Sequence, residues 1–116
     1  ASSAAGRMRE LLALNTPPTA VFAANNLITL GVLQALERAG ARVPEDVALV
    51  GFDDFALAAV LRPRLTLVRQ PADELGRRAA RLLIDRLENK LPPTPRRIVL
   101  PTELIIRESC GCQPNP

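Results

Sequence analysis

PTAVFAANNLITLG, residues 18–31, opens with an apolar run and ends that run in two adjacent asparagines, Asn25 and Asn26. A short continuous run of this kind reads as a strand buried on both faces. A helical pattern begins directly behind it. Ile28, Val32, Ala35, Leu36 and Ala39 share one stripe at the 3.6-residue period, and Gly40 closes the helix. The asparagines at the junction have two physical uses. Asn is a preferred helix N-cap, and in an open parallel sheet ligands bind beyond the carboxyl ends of the strands.

The same grammar recurs along the chain. Residues 47–52 (VALVGF) form a second buried run, ended by Asp53 and Asp54, and a short helix is predicted over 55–61. A first helix is predicted over 5–14, where Met8, Leu11 and Leu12 recur at helical spacing. A third strand is predicted over 65–68. A long helix over 71–89 carries Leu75, Ala79, Leu82, Leu83 and Leu87 on one stripe. Its solvated side offers Asp73–Arg77 and Glu74–Arg78 as i, i+4 pairs. Two further strand candidates, 98–100 and 103–107, are separated by Pro101, and residues 111–116 read as disordered. Helices alternating with doubly buried strands predict an α/β fold, a parallel sheet with helices on both faces.

Composition narrows the function classes. The 116 residues include fourteen Arg, one Lys and no His, Trp or Tyr. The chain is long enough for one domain that buries roughly 65% of its unfolded surface. With three Phe as its only aromatic residues, the chain offers little of the stacking platform that single-stranded nucleic acid needs. The positive charges interleave with Asp and Glu, which argues against direct DNA binding. Net charge +3 and the lack of any membrane-length apolar window suit a soluble cytoplasmic protein. Cys110 and Cys112 lack the partners a zinc site needs, so free thiols are expected, with no metal and no cofactor.

The site is sought at the two readable strand ends. Helix register puts Asn26 and Asp54 nearer the caps and leaves Asn25 and Asp53 projecting as candidate ligand contacts. Asn offers donors and an acceptor, and Asp offers acceptors, a set suited to a hydroxyl-rich or ring N–H ligand such as a sugar or nucleoside. A hydrolase using Asp53 and Asp54 as paired carboxylates is the enzyme alternative. Adjacent residues on one strand point to opposite faces, so the pair is poorly placed and no catalytic residue is assigned. Apolar surface is in excess: Leu27 and Leu30 lie off the helix stripe, and residues 55–61 are apolar on every side, which predicts burial by a partner chain.

PTAVFAANNLITLGVLQALERAG, RVPEDVALVGFDD, RPRLTLVRQPADELGRRAARLL and LPTELIIRES, in this order, resemble the ligand-binding domain of LacI/GalR-type transcriptional repressors. The resemblance runs from about residue 17 to Ser109. It implies a periplasmic-binding-protein-like domain of two lobes with a sugar or nucleobase-like effector between them, and operator DNA bound by a separate headpiece. It places Asn25 and Asp53 on effector contacts and Leu30, Leu57, Val60 and Leu61 on a homodimer interface. Asn26 departs from the Asp usual there. The resemblance also implies that these residues form one truncated lobe, with 69–96 crossing to the other lobe, so the long helix is expected to pack on a second copy by domain swapping. A transporter's periplasmic sugar-binding protein is the alternative with the same fold.

Overall fold

The computed structural model describes residues 3–112. The elements are α1 (Ala4–Leu12), β1 (Ala20–Ala23), α2 (Asn26–Arg38), β2 (Ala48–Phe52), a 3-10 helix (Ala56–Ala59), β3 (Thr66–Arg69), α3 (Ala72–Leu87) and β4 (Glu103–Ile105). They fall into two compact units, one made of the residues up to Arg69 with those from Glu103 on, the other Gln70–Thr102.

The first unit is a mixed α/β layer on an open four-stranded sheet in the order β1-β2-β3-β4. β1, β2 and β3 run parallel, as predicted for buried apolar runs. β4 does not: it lies antiparallel to β3. The reason is the point of return. The chain leaves β3 at Arg69 and re-enters at Glu103, whose partner in the ladder is Arg69 itself, so the last strand must run backwards along the third.

One face of this sheet carries Leu49 and Gly51, both buried, with their ladder partners Val21, Ala23 and Leu67. α2 packs on β1 and β2, and α1 packs on α2. Met8 of α1 and Val32, Ala35 and Leu36 of α2 complete the core with Leu49, Leu65 and Leu67. The helix starts are chemically explicit: Ser3 Oγ accepts the Gly6 N–H at 3.1 Å, and α1 needs no other cap.

Close approach rather than turn geometry explains two glycines. A Cβ on Gly51 would lie 2.6 Å from Thr29 Oγ1 and would collide with Leu67 Cδ2. A Cβ on Gly31 would meet the Ala4 side chain at 2.8 Å, at the crossing of α1 and α2. Thr29 is itself fully buried, and its hydroxyl donates to the Asn25 carbonyl at 2.8 Å. At the other end of the strands, the buried Ser109 hydroxyl donates to Leu49 O (2.6 Å) and accepts from Thr66 N (2.9 Å). These bonds tie the last turn, which holds the free thiol Cys110 and leads to the free thiol Cys112, to β2 and β3. Of the tail read as disordered, Gly111 and Cys112 follow that turn, and residues 113–116 lie outside the described residues.

Two local expectations are corrected. The helix predicted over 55–61 is a single 3-10 turn at Ala56–Ala59. Ala58 alone in it is buried, and its carbonyl accepts the Leu65 N–H at 2.8 Å, which pulls the loop down onto the start of β3 before a longer helix can form. The strand predicted at 98–100 is absent from the sheet. The prolines on either side, Pro95 and Pro101, lack the N–H a ladder needs, and Val99 is exposed.

α3 lies in the second unit. It is amphipathic as predicted, and Glu74–Arg78 closes at 2.8 Å. None of its residues is buried, however, and Leu83 and Leu87 of the predicted stripe are 60% and 73% exposed. No helix among the described residues is long and apolar enough to cross a membrane.

Substituting Gly51→Ala forces α2 or Leu67 away from β2. The expected cost is about 1–3 kcal/mol, read as a lowered urea midpoint; an unchanged midpoint would show that the contact yields freely.

Candidate ligand-binding site

Parallel pairing brings the two polar strand ends together. Ala23 pairs with Gly51, so Asn25 and Asp53, each two residues further on, leave neighbouring strands at one edge of the sheet. Phe52 pairs with Val68, which puts Arg69 next along the same edge, and Arg69 pairs with Glu103. The carboxyl edge thus presents an amide, carboxylates and a guanidinium in sequence across four strands.

The division of labour between the asparagines differs from the one predicted. Asn25, not Asn26, is the N-cap of α2: its Oδ1 accepts the Ile28 N–H at 2.8 Å, and its carbonyl accepts the Thr29 N–H at 2.9 Å. A cap needs extended backbone whose carbonyl already serves the helix. Asn25 at the end of the strand has that backbone (φ −161°, ψ 173°), so the helix starts one residue early. Asn26 is the first helical residue and is exposed. The cap bond takes up the side-chain oxygen of Asn25 and does not involve its amide nitrogen, which carries two donors.

The aspartates also separate. Asp53 is half-buried and takes a left-handed backbone, φ 74°, while its N–H donates to Val68 O at 2.9 Å. Asp54 is no helix cap, since the residue before the 3-10 helix is Phe55 and no side chain caps it. Instead its Oδ1 accepts from Phe55 N (3.0 Å) and Arg107 Nη1 (3.0 Å). Its Oδ2 accepts from Arg107 Nη2 (3.1 Å) and from Arg69 Nε (3.0 Å) and Nη2 (2.6 Å). The Arg107 hydrogen bonds, with those of Arg69 and against the opposing effect of burial, lower the Asp54 carboxyl from 3.8 to about 2. At neutral pH Asp54 is therefore an ionised anchor for two arginines and holds no proton to donate.

Arg69 and Arg107 were not singled out from the sequence. Their signal is weak there, because fifteen basic residues compete and the pairs span fifteen and fifty-three positions. The residues expected at an interface between copies fall on another surface. Leu30, Leu57 and Val60 are 40%, 56% and 64% exposed, whereas Leu61 is half-buried against the core. Leu30, Leu33 and Leu61 line one open groove with Arg62 and Pro63.

A group with a depressed folded-state pKa stabilises fully above its unfolded value and loses that stabilisation as pH falls. For Asp54 the window runs from about pH 4 down to about pH 2. Asp54→Asn is expected to cost roughly 2 kcal/mol at pH 7, with the gap to the unsubstituted protein narrowing below pH 4 in urea titrations. A gap independent of pH would place the stabilisation elsewhere.

Comparison with known proteins bears on this edge. The model of a periplasmic binding protein-like domain matches residues 1–110. The HTH-type transcriptional regulator CelR of Thermobifida fusca is 47% identical over 107 residues, 92% of this chain and 31% of that protein's length. The solved complex of the transcriptional regulator CelR with cellobiose superposes with a TM-score of 0.83 at 46% identity, covering 91% of this chain and 32% of that one. A LacI family regulator from Enterococcus faecium with bound ribose gives 0.76 at 34% identity, covering 92% and 40%. The chain belongs to the periplasmic-binding-protein-like domain family, and the relatives it matches there are LacI-type transcriptional regulators.

Proposed function

We propose that this chain is part of the effector-binding domain of a LacI-type transcriptional regulator, and that its effector is a sugar. The observation that carries the reading is the convergence of Asn25 and Asp53 at the carboxyl edge, on strands paired in one register. That edge is where open parallel sheets bind ligands, and relatives of the same fold have been solved with cellobiose and with ribose. With its side-chain oxygen committed to the cap, Asn25 acts as a donor to sugar hydroxyls. Asp53 supplies the complementary acceptor. This sharpens the expectation that Asn25 both accepts and donates.

The role is binding and signalling rather than catalysis. Effector contacts favour one arrangement of the regulator over another, and the differential affinity is the signal. Because the chain spans 31% of CelR, we assign operator recognition to a headpiece, and the opposite wall of the effector site to a second lobe, both outside these residues. Within such a regulator, residues 69–96 are the segment that crosses between lobes. A cytoplasmic location follows from the role. The transporter-protein alternative loses ground because the relatives matched are regulators of transcription.

The exposed leucines supply the second half of the proposal. Leu30, Leu57 and Val60 form, with Leu61, a homodimer surface of the kind a two-headed DNA-binding protein needs. The bare stripe of α3 is a further surface that a second copy covers, if necessary by exchange of the helix.

Two measurements test this. Cellobiose, ribose and lactose are screened for thermal stabilisation of the full-length regulator and of its Asp53→Asn variant, which keeps a residue tolerant of positive φ. A sugar that stabilises the first by several degrees is expected to lose most of that effect on the second; equal stabilisation removes Asp53 from the site. In light scattering at micromolar concentration the chain is expected as a dimer. Leu57→Glu and Leu61→Glu together should shift it to a monomer, and a dimer that survives both places the interface elsewhere.

A further inference from the structure

Asp53 would be the ligand group at this edge, yet its direction depends on a backbone angle that a non-glycine residue rarely adopts. A left-handed φ costs a residue with a Cβ roughly 1–2 kcal/mol, and Asp and Asn tolerate it better than other side chains without favouring it. Such angles persist only where the surroundings over-determine them. Here the surroundings are specific. On one side, Phe52 is held in the ladder by Val68, and the Asp53 N–H is bonded to Val68 O. On the other, the Asp54 carboxylate receives five hydrogen bonds, one from the adjacent Phe55 N–H and four from two distant segments, Arg69 and Arg107.

The Arg107 side chain is the least exposed cation of the cluster, at 15% against 48% for Arg69, and Asp54 itself is 13% exposed. Arg107 is in turn immobilised. Its Nη1 also donates to Leu65 O at 2.8 Å, and its backbone N–H donates to Thr66 Oγ1 at 2.9 Å. A planar guanidinium presenting two parallel donors fixes a carboxylate in orientation as well as position, which an ammonium cannot do. Without it, Asp54 would keep the Phe55 N–H and the more exposed Arg69 but lose both bonds from its least exposed partner. The relief is to turn toward water, and a hinge for that turn is the peptide that joins Asp54 to Asp53.

We propose that Arg107, supported by Arg69, is a positioning residue for Asp53: by clamping Asp54 it holds the left-handed turn at which Asp53 leaves β2. Arg107 touches no ligand in this role. The inference rests on Asp53 as a sugar contact, and its test has a readout that does not.

The backbone arm uses NMR on the 116-residue chain. A strong intraresidue Hα–HN cross-relaxation signal at Asp53 marks positive φ. It is expected in the unsubstituted chain and in Leu36→Ala, which weakens the core without touching the clamp, and lost in Arg107→Met. Should Arg107→Met fail to fold, Arg107→Lys, which keeps the charge but loses the fork, is read for a weakened signal. The same strong signal in the folded arginine variant overturns the proposal. The binding arm titrates cellobiose and ribose into the full-length regulator. Arg107→Met is expected to bind roughly tenfold more weakly, with Arg107→Lys between. If neither sugar binds the unsubstituted regulator, the sugar reading fails, while the Asp53 signal still decides the positioning role.

Discussion

The ligand edge depends on a close contact at Gly51, where the hydroxyl of Thr29 from α2 and the side chain of Leu67 from β3 meet over a bare backbone. Interiors are close-packed and accommodate an added methyl only by moving something. With Gly51 empty, α2 lies directly on the centre of β2. The rest of the ligand edge depends on that. Thr29 reaches back to the Asn25 carbonyl, Asn25 caps the helix, and the helix start is pinned beside the turn at Asp53. A larger residue at position 51 would lift the helix and with it the capping Asn25.

The edge itself shows how one pair of like residues is split by environment. Both aspartates end the same strand, and only their neighbours distinguish them. Asp54 falls within reach of two guanidinium groups and becomes an anchor whose negative charge is spoken for. Asp53, one peptide earlier, bends out of the sheet. The asparagines divide differently, because an N-cap is defined by backbone shape. The residue that is still extended takes the cap, and the first residue in helical conformation cannot.

Much of the coarse design was legible. Apolar runs of buried-strand length, punctuated by Asn-Asn, Asp-Asp and Pro, gave three parallel strands and the helices near their observed bounds, because burial on two faces demands uninterrupted apolar sequence. The polar pairs at the strand ends were legible for a related reason: polar groups ending a buried strand are conspicuous. What escaped were features set by contacts distant in sequence. The reversed direction of β4 comes from the pairing of Arg69 with Glu103, and neither residue advertises it. The short 3-10 turn at Ala56–Ala59 is imposed by a single tie from Leu65 to Ala58. Ser109 looks like any polar residue near a terminus, yet it is buried between two strands and satisfies both.

Sequence by itself determined the alternation of strand and helix, the family likeness and the two polar pairs at the strand ends, since all of these are written in local pattern and periodicity. Tertiary structure alone decided which asparagine caps, which aspartate is clamped and which arginines do the clamping. Those outcomes turn on hydrogen-bond geometry between segments up to fifty-three residues apart, and one-dimensional spacing carries no record of it.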